Sequence, residues 1–160
     1  MPKAYVRQTA DVAELVISAP PLNLFDGQMI ADLAAALDEL VALTREGTAR
    51  AVLLRADGKV FCAGVDVHEF QGLGPSQGAG LMARFLALVQ TLERTPVPTI
   101  AVVHALNLTI GFELSLGCDL MWAAEDASFA WSRRPSASLR AGAGRSGWSP
   151  GPAWPGPPSW

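Results

Sequence analysis

HALNLTIGFELSLGCDL, residues 104–120, and the shorter run FCAGVDV, residues 61–67, decide how this chain reads. Each follows an apolar, strand-like run (TIAVV before the first, AVLLRA before the second), so each sets a glycine-bearing turn with exposed backbone N–H groups at a strand end. The longer run adds one carboxylate, Glu113. Two donor turns with an acid beside them are the outline of an oxyanion hole, a cradle for charge that develops on an oxygen. Taken singly, either turn could equally serve only to reverse the chain.

Outward from these turns, the pattern alternates between strand and helix. Residues 4–8 and 12–18 read as a strand pair around TAD. Asp26 then caps a helix whose Met29, Leu33, Leu37, Leu40 and Leu43 recur at helical spacing until Gly47. Residues 51–54 form a short buried strand. Leu81, Phe85, Leu88 and Leu92 mark a second helix that ends before Pro96 and Pro98, and residues 99–103 read as another buried strand. A short core helix over 110–116 and strands over 120–123 and 128–131 complete the pattern. Strands alternating with helices predict an α/β layered fold.

At 160 residues, half of them apolar and 17% charged, the chain suits one compact domain with a real core. Its longest apolar runs fall short of the roughly 20 residues that a membrane span needs, and its start lacks a signal peptide's basic and apolar stretches, so a cytoplasmic protein without a membrane partner is expected. The net charge of −3 offers no footprint for nucleic acid. Cys62 and Cys118 have neither framework nor metal spacing and read as two buried thiols in a reducing compartment. His104 ends a strand with no second ligand at suitable spacing, so no metal site is expected.

The average hides a break at Trp131. Residues 1–131 carry 8 basic and 15 acidic residues, net −7, whereas residues 132–160 carry four Arg and no acid, net +4. The latter are six Ser, six Pro, five Gly, four Ala, four Arg, three Trp and one Leu. Such a segment cannot offset its ordering entropy by burial. Two units are therefore expected: a folded core over 1–131 and a low-complexity, disordered tail over 132–160.

The order PPLNLFD, RAVLLRADGKVFCAGVDV, TIAVVHALNLTIGFELSLGCDLMWAAEDASFAW resembles the N-terminal half of the enoyl-CoA hydratase/isomerase, or crotonase, family over residues 5 to 131. The resemblance implies a crotonase-like spiral of ββα units and chemistry on an acyl-CoA thioester. It makes the N–H groups of Val65, after Gly64, and Ile110, before Gly111, the two donors that grip the thioester oxygen as it becomes an enolate. Glu113 matches a family glutamate that positions or deprotonates water. Its neighbours Phe112, Leu114 and Leu116 predict a half-buried, apolar setting; the plainer alternative is a helix-surface carboxylate. Leu22, Leu24, Ala63, Val65, Asp66, Val67 and His68 fall where the family lines its coenzyme A groove, although His68 could also be an exposed loop residue. Coenzyme A enters as part of the substrate, with no permanently bound cofactor.

Hydratases of the family use a second glutamate about twenty residues after the first, and here Arg133 stands at the aligned place. A guanidinium stays protonated and cannot replace that acid. The family's pocket cover and its trimer or hexamer contacts come from helices that are not legible after Trp131. One codon choice for residues 131–140, read two bases later, encodes VEAAVGLTP, and one for residues 145–149 encodes QRLV, both of the family's kind. Out-of-frame translation from about residue 132 would explain the break.

Overall fold

A computed structural model describes residues 1–131 and 139–140. Strand β1, Ala4–Thr9, turns tightly into β2, Val12–Ile17, and the two pair antiparallel from Ala4 opposite Ile17 to Thr9 opposite Val12. Helix α1, Gly27–Arg45, follows. Asp26 caps it as expected, its Oδ1 accepting the Met29 N–H at 2.7 Å, and that side chain also pairs with Lys3. Strand β3, Ala51–Ala56, then lies parallel to β2, so β1, β2 and α1 feed the sheet as one ββα unit.

A short helix, α2, spans Val67–Gln71, and a long one, α3, Pro75–Glu93. The apolar periodicity located only the second half of α3. Its first turns hold Gly78 and Gly80 and no apolar stripe; Pro75 opens it, and Gln77 Oε1 accepts the Gly74 N–H at 2.9 Å. Strand β4, Thr99–Val103, leads to a two-residue strand β5, Asn107–Leu108, and to helix α4, Ile110–Leu116, where the short core helix was expected. Strands β6, Leu120–Ala123, β7, Ser128–Ala130, and β8, Leu139–Arg140, follow.

Five strands form one sheet in the order β1-β2-β3-β4-β6, parallel except at β1, and β5-β7-β8 form a second. Of the tail expected to be disordered, only β8 lies within the described residues, where it pairs antiparallel with β7; the rest, Arg133 included, lies outside them.

Alternation on the strands sorts their side chains between two faces. Leu15, Ile17, Val52, Leu54, Ala101 and Val103 point inward, under Met29, Leu33, Leu37 and Leu40 of α1 and Phe85, Val89 and Leu92 of α3. Phe25 meets Phe85 edge-on with ring centres 6.0 Å apart. The other face carries an ion cluster: Glu14 accepts from Arg55 at 2.6 Å and from Arg7 at 2.5 Å, and Arg55 also reaches Asp57 at 2.6 Å. The bond from Arg55 holds the Glu14 carboxyl below the usual carboxylate range; burial pushes Asp57 up, but pairing with Arg55 together with bonds from Ser18 and Tyr5 outweighs this and leaves it lowered too. Leu120 and Trp122 of β6, and Met82 and Leu86 of α3, are exposed.

Candidate functional site

The segment 22–25 forms one wall of the first turn, and Asn23 fixes it. This buried residue adopts φ +50°, a region that Asn tolerates better than most residues. Its Oδ1 accepts the Ala19 N–H at 2.7 Å, while its Nδ2 donates to the carbonyls of Asp57 at 2.7 Å, Val60 at 2.9 Å and Phe61 at 3.2 Å. The segment is thereby tied to the loop after β3. Ala63 N–H then donates to Leu22 O, Phe25 N–H to Gly64 O and Asp66 N–H to Phe25 O, each at 2.9 Å. Phe25 and Val65 form a parallel bridge, in which the Val65 N–H points away from segment 22–25. That N–H has no partner among the described residues.

Gly64 adopts φ +107°, which L side chains rarely reach, and a Cβ on it would stand 3.1 Å from Thr109 Oγ1. The two turns therefore touch. The second is hung between neighbouring strands: Leu108 N–H donates to Cys62 O at 2.9 Å and Thr109 N–H to Ala130 O at 2.8 Å. Thr109 sits at φ +44°, ψ −108°, a strained conformation for a β-branched residue, and the chain enters α4 directly after it. Ile110 buries its side chain, and its N–H likewise has no partner among the described residues. Gly111 is obligatory by contact: a Cβ there would lie 2.3 Å from Cys62 Cβ and 2.5 Å from Asn107 Oδ1.

Glu113 follows Ile110 by three residues and so lies one turn further along the same side of α4. It is half-buried. Of the three neighbours expected to wall it, Leu114 instead enters the core and Leu116 is exposed, because consecutive helical residues face different ways. The aromatic surface near Glu113 comes from Phe112 and from a residue the sequence reading missed, Trp131. Its Nε1 donates to Glu113 Oε1 at 2.9 Å, and its ring stands edge-on to Phe112 with centres 6.4 Å apart. Phe112 in turn leans on Phe129 of β7 at 5.1 Å. No local signal links residues 113 and 131; only the pairing of β7 with β5 brings them together.

The residues expected along a ligand groove divide. Leu22 and Val67 are exposed, Leu24, Ala63, Val65 and Asp66 are half-buried, and His68 is exposed. Asp66 caps α2, its Oδ1 accepting the His68 N–H at 3.0 Å. Cys62 is fully buried, with its thiol pushed up to about 11 by burial; Cys118 is half-buried, and burial pushes it up to about 12. His104 Nε2 faces Gly58 O at 3.0 Å. Among the described residues no group of three or more His, Cys, Asp or Glu could hold a metal ion, and no helix is long and apolar enough to cross a membrane. A cleft of about 340 Å³ between the starts of α1 and α3, lined by Gly27, Leu73, Gln77, Gly80, Leu81 and Arg84, was not foreseen.

Residues 7–141 match the family model described as enoyl-CoA hydratase/isomerase. A Bacillus subtilis protein described as a probable enoyl-CoA hydratase is 33% identical over 117 residues, 72% of this chain and 44% of that protein. The 1,2-epoxyphenylacetyl-CoA isomerase of Escherichia coli K12 is 33% identical over 123 residues, 74% of this chain and 46% of that protein. The crystal structure of an enoyl-CoA hydratase from Bacillus anthracis superposes with a TM-score of 0.72 at 29% identity, covering 79% of this chain and 49% of that one, and it shares the crotonase-like α/β fold. The chain thus spans about half the length of the relatives it matches. With more than three quarters of its residues within the family model, the chain belongs to the enoyl-CoA hydratase/isomerase family.

Proposed function

We propose that this chain carries acyl-CoA thioester chemistry of the enoyl-CoA hydratase/isomerase type, with the N–H groups of Val65 and Ile110 as paired donors to the thioester oxygen. One observation carries the reading. These two N–H groups lie in turns that touch and have no partner among the described residues. Donors fixed by the fold stabilise charge as it appears on the oxygen without reorganising, and losing one such donor costs about 3 kcal/mol of barrier. Glu113 takes the proton of a water whose oxygen bonds to Cβ of the enoyl group. The electron pair of the Cα–Cβ double bond shifts to join Cα to the carbonyl carbon as the C=O pair moves onto the thioester oxygen, giving the enolate; the enolate then collapses to the thioester as the proton held by Glu113 passes to Cα. Leu22, Leu24, Ala63, Asp66, Val67 and His68 border the coenzyme A moiety, which arrives with the substrate.

A second reading, a non-catalytic remnant that still binds coenzyme A, is favoured by one specific feature: Arg133 stands where a second carboxylate is expected, in a tail of foreign composition. In that reading residues from about 132 are out of frame, and the pocket cover and trimer contacts are lost with them. The nucleotide sequence around codon 131 decides the origin of the tail; a frame with no VEAAVG option there ends the idea. Function is decided by loss of crotonyl-CoA absorbance. The enzymatic reading expects turnover that falls at least about 100-fold in Glu113→Ala. Turnover untouched by that substitution overturns the role of Glu113, and binding without turnover leaves the remnant.

A further inference from the structure

Cys62 lies between the two turns, and the chemistry above makes no use of it. Its backbone is stitched to the second turn: its N–H donates to Leu106 O at 3.1 Å, and its carbonyl accepts the Leu108 N–H at 2.9 Å. Its side chain is wholly buried and touches both turns at once. On one side, the Gly64 N–H points at Sγ at 3.3 Å. On the other, Gly111 packs so closely that an added Cβ would stand 2.3 Å from Cys62 Cβ and 2.8 Å from Sγ. Gly64 immediately precedes one proposed donor, Val65, and Gly111 immediately follows the other, Ile110.

We propose that Cys62 is a positioning residue whose sulfur acts as a spacer, fixing the separation of the Val65 and Ile110 N–H groups by accepting from Gly64 and packing against Gly111. The inference rests on reading those two groups as the oxyanion donors. Sulfur suits the task because it is large, polarisable and a weak acceptor, so it fills the gap and answers a buried N–H without drawing the turns together. The Gly64 amide donates to this sulfur, and Gly111 packs against it. With its thiol pushed up to about 11, Cys62 stays protonated and is no nucleophile at neutral pH. Asn107 buttresses the same contact: its Nδ2 donates to Ser115 Oγ at 2.9 Å, Ser115 Oγ donates to Gly111 O at 2.9 Å, and its Oδ1 is buried without a partner among the described residues.

The test has two arms on the full chain. In the first, amide hydrogen exchange is compared between wild type and Cys62→Ala, with Cys62→Ser as the second variant should alanine impair folding. Exchange at Gly64 and Gly111 should quicken together by about tenfold, the scale of one weak hydrogen bond, while Ala63 and Glu113 keep their rates. Acceleration at one glycine alone, at neither, or uniformly along the chain overturns the spacer. In the second arm, butyryl-CoA is titrated while the Val65 and Ile110 amide resonances are followed. Both should move in wild type, with binding about tenfold weaker in the variant, the same one-bond scale. Equal binding and equal shifts in wild type and variant overturn the spacer and leave the oxyanion reading standing. No binding to wild type overturns the oxyanion reading instead, and the exchange arm still decides whether Cys62 holds the turns.

Discussion

The two turns that face each other across Cys62 reach their conformations by opposite routes. The first bends at Gly64, whose φ of +107° glycine adopts without a Cβ penalty, and its neighbours are held by backbone bonds to segment 22–25. The second bends at Thr109, a β-branched residue at φ +44°, with no local reason to be there. It is held by its surroundings: Ala130 O takes the Thr109 N–H, and Gly111 closes against Cys62 and Asn107. One turn is set by its own residue and the other is imposed by packing. A turn of the second kind stores strain, and the rest of the fold offsets it.

The sharpest way to break this difference is Gly111→Ala. With a Cβ 2.3 Å from Cys62 Cβ in a fully buried contact, α4 must shift or the core must open, and a loss of about 3 kcal/mol or more is expected, read as a fall in thermal midpoint and as release of the Glu113 N–H. Gly64→Ala should cost less, about 2 kcal/mol, because its Cβ would crowd only the Thr109 hydroxyl, at 3.1 Å, which needs to give by little, and the penalty comes mainly from the backbone.

The ion cluster on the open face of the sheet supplies a contrast, since neither turn depends on it. The Glu14 and Asp57 carboxyls lie below their ordinary range when folded, so their contribution is complete at neutral pH, begins to fall as pH enters the ordinary range and is lost as pH drops through the lowered folded values. Arg55→Met should cost about 1–2 kcal/mol at pH 7, mostly through Glu14, because Asp57 is 38% exposed and water screens it. The gap between wild type and variant should close on acidification in urea melts; a gap that widened would reverse the assignment. Thr109→Gly is the smallest and the most telling. Relief of strain should outweigh the entropy of an added glycine and stabilise the chain by about 0.5–1 kcal/mol, whereas a turn conformation native to Thr109 would make the substitution destabilising.

The contrast also marks what the sequence could reveal. Gly64, Asp26 and the apolar stripe of α1 act within a few residues of themselves, and so the first turn, the α1 cap and the positions of the strands along the chain were readable. Glu113 was readable because a helical position follows from local pattern. Trp131 was not, since its bond to Glu113 spans 18 residues through strand pairing, and Asn23 was not, since its three carbonyl partners lie 34 to 38 residues away. The early start of α3 was hidden by Gly78 and Gly80, which weaken a helical pattern without ending the helix. The strain at Thr109 has no sequence signal at all, because a threonine reads as a strand residue until its neighbours are known.

Amide NMR during titration with butyryl-CoA puts to the test the proposed pairing of the Val65 and Ile110 N–H groups on one oxygen. Both resonances should move downfield together and saturate at the same ligand concentration, since both would donate to the same thioester oxygen. Binding that shifts only one of them, or that leaves both in place while perturbing other parts of the chain, would contradict it.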